Sequence, residues 1–290
     1  MTLFVNLRGI PSGGIVADEA QVLEDGATPI DTADFAARIR GRDMVLATHG
    51  FNVGQKSGVN ALTIWGEHYG LASPAEYVGV LWPGDSRFLP ILDYPVEGAE
   101  ANRSGRLLAK FLNRWAAGAA SLSFVSHSLG ARMVLETVRG LERGREVRRM
   151  ILMAGAIEDD CLVNEYRDAA ARVQEITVVA SREDWVLQFA FPIGNPIGEI
   201  VMRGHPYFNA ALGREGPSEP IPLTKRGGAW QIPDRWDIGH LDYLPGERGG
   251  PQIPPPVVAV PGPDTPEPVD PTLKEWKSSW SAAVASRQLE

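Results

Sequence analysis

Cysteine, clustered basic residues and long apolar runs are scarce in this sequence, and each scarcity excludes a class of protein. Cys161 is the only cysteine among 290 residues, so no intramolecular disulfide can form. The net charge is −8 and Lys and Arg form no blocks, which argues against binding to nucleic acid or anionic membranes. No run approaches the roughly 18 apolar residues that a membrane-spanning helix requires. The N-terminal residues show no signal-peptide pattern, and we expect a cytoplasmic protein.

Motifs for metals and phosphates are also missing. The sequence contains no Cys/His cluster at ligand spacing and no glycine-rich phosphate loop, so we expect neither a metal nor an organic cofactor. Apolar residues are plentiful instead, at 44% of the chain, which is enough for one sizeable core. We expect that core within a single domain over residues 1–245.

Short apolar runs alternate with amphipathic stretches between about residues 30 and 180. Strands are predicted at residues 44–47, 77–82, 122–125, 150–153 and 176–179. Helices are predicted after an Asp31-Thr32 cap and over residues 57–70, 97–116, 129–142 and 162–172. This alternation is typical of an α/β fold with a mostly parallel central sheet and helices on both faces. Functional loops of such a sheet lie at the carboxyl ends of its strands.

Two later regions break the alternation. Residues 185–235 begin with an aromatic, apolar stretch and become rich in glycine and proline, which predicts a cover over a site. Residues 246–271 are rich in proline and predict an extended linker or arm. Residues 272–290 contain a short helix candidate with two tryptophans four residues apart. That segment could dock on the domain, join two copies of the chain in a homo-oligomer, or form a frayed tail.

The sequence Ser126-His127-Ser128-Leu129-Gly130 joins a predicted strand to a predicted helix. A nucleophile on such a turn has a strained backbone and needs small residues two positions to either side. Serine at the first of these positions departs from the usual glycine, but it still satisfies the steric requirement. The turn would expose the Ser128 hydroxyl and direct the Leu129 N–H towards a developing oxyanion. We therefore predict Ser128 as nucleophile and Leu129 as an oxyanion-hole donor, with His127 packed beneath the turn.

The sequence His49-Gly50-Phe51-Asn52 directly follows an early predicted strand. A His-Gly turn in this position is where the architecture places its second oxyanion donor, which is a backbone N–H. We predict that Phe51 supplies this N–H. His49 is then expected to hold the loop by hydrogen bonding rather than to act as a base.

A serine nucleophile requires a histidine base, and His205 and His240 are the histidines that follow Ser128. The expected chain order is serine, acid and then histidine. His240 occupies the last loop before the proline-rich segment, so we predict it as the base. His205 lies inside the predicted cover and is the alternative.

The carboxylate that orients the histidine is expected at the end of a strand. Asp184 follows the predicted strand at 176–180 and is our prediction for this role. Asp159 and Asp160 follow the preceding strand, and Glu183 adjoins Asp184. These three residues stay open as alternatives because spacing alone does not separate them.

Taken together, these segments resemble the bacterial α/β hydrolases long catalogued as a domain of unknown function. The shared features are a His-Gly-Phe/Tyr-Asn loop, a Trp-Pro turn, a Ser-His-Ser-Leu/Met-Gly turn, a Ser-x-x-Asp segment and a late Gly-His. In this chain they stand at residues 49–52, Trp82-Pro83, residues 126–130, residues 181–184 and Gly239-His240. The resemblance covers about residues 40–245 and implies an α/β-hydrolase fold with a Ser-His-acid triad. One departure is Ala154-Gly155-Ala156, where relatives tend to have Ala-Pro-Asp.

The residues and the resemblance together predict a serine hydrolase, with a carboxylesterase acting on a small-molecule ester as the preferred interpretation. The short 155–172 segment leaves little room for a lid, so any cover comes from residues 185–235. An acyltransferase or lipase-like enzyme with the same triad is the alternative. A non-catalytic binding module on the same fold is the third hypothesis.

Overall fold

A computed structural model gives the fold of the chain. It describes residues 1–10, 14–69, 74–85, 94–188, 210–219, 226–232, 234 and 237–243. The predicted proline-rich arm (246–271) and C-terminal helix (272–290) lie outside the described residues. So do His205 and most of the predicted cover.

Strands and helices alternate along the described residues. The strands are β1 (Leu3–Arg8), β2 (Val16–Glu24), β3 (Thr28–Ile30), β4 (Asp43–Thr48), β5 (Glu76–Leu81), β6 (Ser121–His127), β7 (Val147–Met153), β8 (Val173–Ala180) and β9 (Arg226–Gln231). The helices are α1 (Thr32–Ile39), α2 (Gln55–Tyr69), α3 (Tyr94–Trp115), α4 (Gly130–Gly140), α5 (Arg167–Ala170) and α6 (Leu212–Glu215).

The described strands form one nine-stranded sheet in the order β3-β2-β1-β5-β4-β6-β7-β8-β9. The pairs β1–β2 and β2–β3 are antiparallel, and the other neighbouring pairs are parallel. The chain passes from β4 to β5 on one side and then back past β4 to β6 on the other. This reversal makes a topological switch point between β4 and β6, where loops at the carboxyl edge diverge and leave a crevice. The predicted mostly parallel sheet is confirmed.

The helices cover the sheet in two layers. Connections between parallel strands are right-handed, so a step from β4 to β5 and the reverse step from β5 to β6 place α2 and α3 on opposite faces. Helix α3 packs against α4 and α1, whereas α2 packs against β5. Strands β1, β4 and β6 are buried along their whole length because both faces are covered. Within the described residues, no helix has the length and apolar character needed to cross a membrane.

The structure differs from the predicted elements at both ends of the sheet. Strands β1–β3 were not expected, because Asn6 and Arg8 interrupt the apolar pattern of β1 and β2 is largely polar. Strand β9 lies inside the segment predicted as a cover, so residues 226–231 belong to the sheet. Its two glycines and few apolar side chains give no strand pattern in the sequence.

The predicted helix at 162–172 is mostly replaced by turns. Helix α5 has only four residues, and short-range backbone hydrogen bonds form turns in the segment before it. The backbone N–H groups of Val163 and Asn164 both donate to the Asp160 carbonyl, and Tyr166 donates to the Cys161 carbonyl. The connection from β7 to β8 is therefore compact and lies close to the sheet.

Candidate active site

The end of β6 carries the feature around which the site is built. Ser128 follows the last residue of this strand and has a φ of +54°, in the left-handed region that non-glycine residues rarely adopt. Its N–H donates to the Met153 carbonyl over 3.0 Å, and its own carbonyl accepts from the Ala131 and Ala156 N–H groups. Hydrogen bonds from β7 and from α4 thus hold the strained turn that the sequence predicts.

Two glycines allow neighbouring backbones to approach this turn. A Cβ on Gly50 would lie 2.7 Å from the Ser128 Cβ, and a Cβ on Gly130 would lie 2.7 Å from the His49 carbonyl oxygen. Neither distance is sterically tolerable. The loop after β4 and the turn after β6 therefore pack in direct contact across the switch point. Ser128 is only 4% exposed as a result, whereas the sequence predicts a more exposed hydroxyl.

Ser128, His240 and Asp184 form a continuous hydrogen-bonded relay. The Ser128 Oγ lies 2.9 Å from His240 Nε2, and His240 Nδ1 lies 2.7 Å from Asp184 Oδ2. Asp184 is fully buried, and its second carboxylate oxygen accepts the Leu187 N–H over 2.9 Å. In this geometry the histidine Nδ1–H donates to the carboxylate, which leaves Nε2 to accept the serine proton. The structure brings together the three side chains selected from the sequence.

The 49–52 loop is ordered by His49 and Trp82. The His49 Nδ1–H donates to the Gly50 carbonyl over 2.9 Å, and the Trp82 indole N–H donates to the His49 carbonyl over 2.9 Å. The two rings stack with centroids 5.7 Å apart. Burial lowers the pKa of His49 to about 4, so this ring is neutral near pH 7. His49 therefore holds the loop through its neutral ring, in the structural position expected for it.

Two backbone N–H groups next to the serine are available as donors. Among the described residues, neither the Phe51 N–H nor the Leu129 N–H donates a hydrogen bond. Leu129 is the N-cap of α4, where the helix dipole adds partial positive charge. Phe51 follows Gly50, which packs against Ser128. Both groups thus adjoin the nucleophile candidate from separate loops.

Comparison with known families matches this architecture. A family model described as "Alpha/beta hydrolase of unknown function (DUF900)" matches residues 30–226. The chain belongs to this family. Both the α/β-hydrolase fold and the family resemblance inferred from the motifs are thereby confirmed. Ser128 and Asp184 lie inside the matched residues of this α/β hydrolase, whereas His240 lies beyond them. No functionally curated protein sequence matches the chain.

Solved structures with similar folds share little sequence with this α/β hydrolase. The ydeN gene product from B. subtilis is 14% identical, with a TM-score of 0.38, over 68% of this chain and 87% of that protein. Esterase PE8 is 18% identical, with a TM-score of 0.40, over 70% of this chain and 86% of that protein. Esterase B from Lactobacillus rhamnosis is 11% identical, with a TM-score of 0.35, over 86% of this chain and 79% of that protein.

Among the described residues, none of the alternative acids of this α/β hydrolase contacts His240. Asp160 accepts a hydrogen bond from the Asn164 amide through its carboxylate. The Asp159 backbone pairs with Ala210, and burial raises the pKa of its carboxyl group. Glu183 precedes the relay aspartate, and its N–H donates to the Ser181 hydroxyl. Groups of His, Cys, Asp or Glu arranged to hold a metal ion are absent from the described part of the chain.

Arg8 supports the site and was missed by the sequence analysis. Its side chain is fully buried, pairs with the Asp85 carboxylate, and donates to the Trp82 carbonyl over 2.7 Å and the Val53 carbonyl over 3.3 Å. These contacts tie the 49–52 loop to the turn after β5. Arg8 belongs to β1, which pairs with β5 across a long sequence separation. Without β1 in the predicted sheet, no sequence signal connected Arg8 to this loop.

The left-handed conformation of Ser128 predicts a difference between two substitutions. Ser128→Ala and Ser128→Gly both remove the hydroxyl, but glycine adopts a positive φ without strain. We expect the Gly variant to exceed the Ala variant in free energy of unfolding by about 1 kcal/mol. Urea denaturation of both variants measures this difference. Equal stability, or a more stable Ala variant, would contradict a strained turn.

The buried neutral histidines predict an acid-sensitive stability. Burial lowers the pKa of His49 to about 4 and of His127 to about 3, from an ordinary 6.5. Below pH 6.5 the unfolded chain binds protons that the folded chain does not, so the free energy of unfolding falls with pH. Each histidine contributes a slope approaching about 1.4 kcal/mol per pH unit as the pH falls below about 6. Urea unfolding between about pH 5 and 8 should show a shallower slope for His127→Gln; an unchanged slope counts against a neutral His127.

Proposed function

We propose that this α/β hydrolase is a serine esterase that cleaves carboxylic esters through an acyl-enzyme on Ser128. The observation that carries the proposal is the hydrogen-bonded relay from Ser128 through His240 to Asp184, on a strained turn beside two available N–H donors. In this assignment His240 is the base, Asp184 orients it, and the Phe51 and Leu129 N–H groups form the oxyanion hole.

Acylation begins when the Ser128 Oγ attacks the carbonyl carbon of the ester and its proton passes to His240 Nε2. The carbonyl oxygen takes up the negative charge and accepts hydrogen bonds from the two backbone N–H groups. The buried Asp184 carboxylate stabilises the imidazolium that forms. Collapse of the tetrahedral intermediate breaks the bond to the alcohol oxygen, which takes the proton from His240.

Deacylation repeats these transfers with water. His240 accepts one water proton while the water oxygen attacks the acyl carbon, and the same N–H groups hold the oxyanion. Collapse breaks the bond to Ser128 Oγ, which recovers its proton from His240 and releases a carboxylic acid. The relay geometry is suited to both half-reactions because Nε2 faces the serine in the resting state.

Exposed apolar residues adjacent in sequence to Asp184 and His240 favour an ester with an apolar group. Trp185 directly follows the relay aspartate and is 60% exposed, and Leu241 directly follows the relay histidine and is 57% exposed. Val186 extends the same apolar segment. Clustered large apolar residues that stay exposed are typical of a binding surface. The β7–β8 connection is compact and adds no bulky lid of its own, which favours small-molecule esters as substrates.

The nucleophile assignment predicts covalent labelling by a fluorophosphonate probe. The wild-type protein should label with one equivalent, and Ser128→Ala should not label, because the activated serine oxygen displaces fluoride from the probe and forms a phosphonate ester. Intact-mass spectrometry of the labelled protein measures the stoichiometry. Ser123→Ala, which removes a buried hydroxyl on the same strand, is the matched control and should label as wild type does. A folded wild-type protein that does not label, or a Ser128→Ala variant that labels equally, rules out the assignment.

The acid assignment predicts a large and specific rate loss. Asp184→Asn should lower kcat for p-nitrophenyl esters by about 10³- to 10⁴-fold, because the amide favours the wrong histidine tautomer. Asp160→Asn is the matched control and should keep wild-type kcat. Equal losses of kcat in Asp184→Asn and Asp160→Asn would refute Asp184 as the orienting acid.

The apolar residues next to the site predict a preference among substrates. A series of p-nitrophenyl esters with the wild type should show KM falling as the acyl chain lengthens past acetate.

A further inference from the structure

The 237–243 loop, which carries His240, has no regular secondary structure to hold it. Side chains from elsewhere in the site hold it instead. The Ser181 hydroxyl, three residues before Asp184, donates to the Ile238 carbonyl over 2.6 Å. Within the loop, the Gly239 N–H donates to the Asp242 carboxylate over 2.8 Å. The position of His240 therefore depends on a few identifiable contacts.

Among the side chains that hold this loop, His127 binds the backbone of His240 itself. Its Nε2 lies 2.7 Å from the backbone carbonyl oxygen of His240, and the two imidazole rings lie 4.9 Å apart between centroids. Its Nδ1 faces Gly50, where an added Cβ would lie only 3.1 Å away. The Tyr243 ring also packs against the His127 ring, with centroids 6.1 Å apart. His127 thus touches the loop of the base and the loop that adjoins the nucleophile.

The chemistry of the partner defines what His127 does. A carbonyl oxygen only accepts hydrogen bonds, so His127 Nε2 must carry the proton and donate it. Burial, together with a smaller effect of the nearby His240, lowers the pKa of His127 to about 3. The His127 ring is therefore a neutral hydrogen-bond donor near pH 7. Among the described residues, the other ionisable groups close to this pair are His49, Asp184, Asp242 and Tyr243.

We propose that His127 is a positioning residue that holds the backbone of His240 in register with Ser128. It immediately precedes Ser128 in the chain, so covalent geometry fixes the donor relative to the nucleophile. The hydrogen bond to the His240 carbonyl then fixes the position of the base relative to the nucleophile. This inference rests on the proposed function, since it assigns His127 a role through His240. The His127 hydrogen bond joins the segment that carries Ser128 directly to the segment that carries His240.

The test compares donors and non-donors at position 127. In His127→Leu the loop loses its anchor, and kcat for a p-nitrophenyl ester should fall about 10- to 100-fold with little change in KM, as expected for a displaced base. His127→Gln places an amide N–H near the former Nε2 and should recover most of kcat. His127→Asn is too short to reach and should resemble His127→Leu.

Proton NMR gives a readout that does not depend on turnover. The His240 Nδ1–H, hydrogen-bonded to buried Asp184, should give a far-downfield resonance that is absent in His240→Ala. His127→Leu should broaden or remove this resonance, and His127→Gln should keep it. Ser123→Ala, on the same strand, should keep both the resonance and kcat. If the wild type resists fluorophosphonate, the esterase proposal fails while the resonance still tests the positioning role.

Each outcome decides for or against the role of His127. Unchanged kcat and an unchanged resonance in folded His127→Leu would overturn it. Equal impairment of the Gln and Leu variants, with equal loss of stability, would assign His127 to packing alone. If His127→Leu does not fold, the comparison of Gln with Asn serves instead. Equal activity and equal resonances in those two variants would then overturn the proposal.

Discussion

The left-handed backbone at Ser128 is the constraint on which the site depends. A non-glycine residue in this conformation costs about 1–3 kcal/mol and persists only where its surroundings hold it. Here the surroundings are the central strands, since Ser128 donates to Met153 at the end of β7 and accepts from Ala131 and Ala156. The strain is thus borne by the most buried part of the sheet. A surface loop with the same sequence would relax, and its hydroxyl would lose its fixed direction.

This turn also dictates what its neighbours can be. Because β4 and β6 adjoin at the switch point, the segments that leave them meet within van der Waals contact, and Gly50 and Gly130 provide the space. The inner side of the crevice is therefore backbone rather than side chain, which suits it to supply N–H donors. Arg8 holds the end of the loop after β4 to the end of β5 by donating to the carbonyl oxygens of Val53 and Trp82. A buried guanidinium suits this task because its planar fork donates in several directions.

The sequence predicts features that depend on neighbouring residues, and it misses those that depend on pairing with distant segments. The turn at Ser128 is a strand–turn–helix signal over a short stretch of chain, and α1, β4 to β8 and the 49–52 loop carry similarly local patterns. Strands β1 and β9 depend on pairing with distant segments, and the polar residues of β1 and the glycines of β9 obscure their patterns. The same limit applied to the acid. Spacing left Asp159, Asp160 and Glu183 open beside Asp184. Only the fold brings one of these carboxylates, that of Asp184, to 2.7 Å from His240.

The three described histidines around Ser128 have the same side chain but different roles, because burial and hydrogen-bond partners differ among them. His49 and His127 are buried with backbone carbonyls as partners, and burial lowers the pKa of both rings far below 6.5. Among these three, only His240 contacts a carboxylate. A proton released by Ser128 in the proposed mechanism therefore has one ring that can hold it as a cation. The two neutral rings can then keep their hydrogen bonds, so the loops they anchor stay in place while charge moves through the relay.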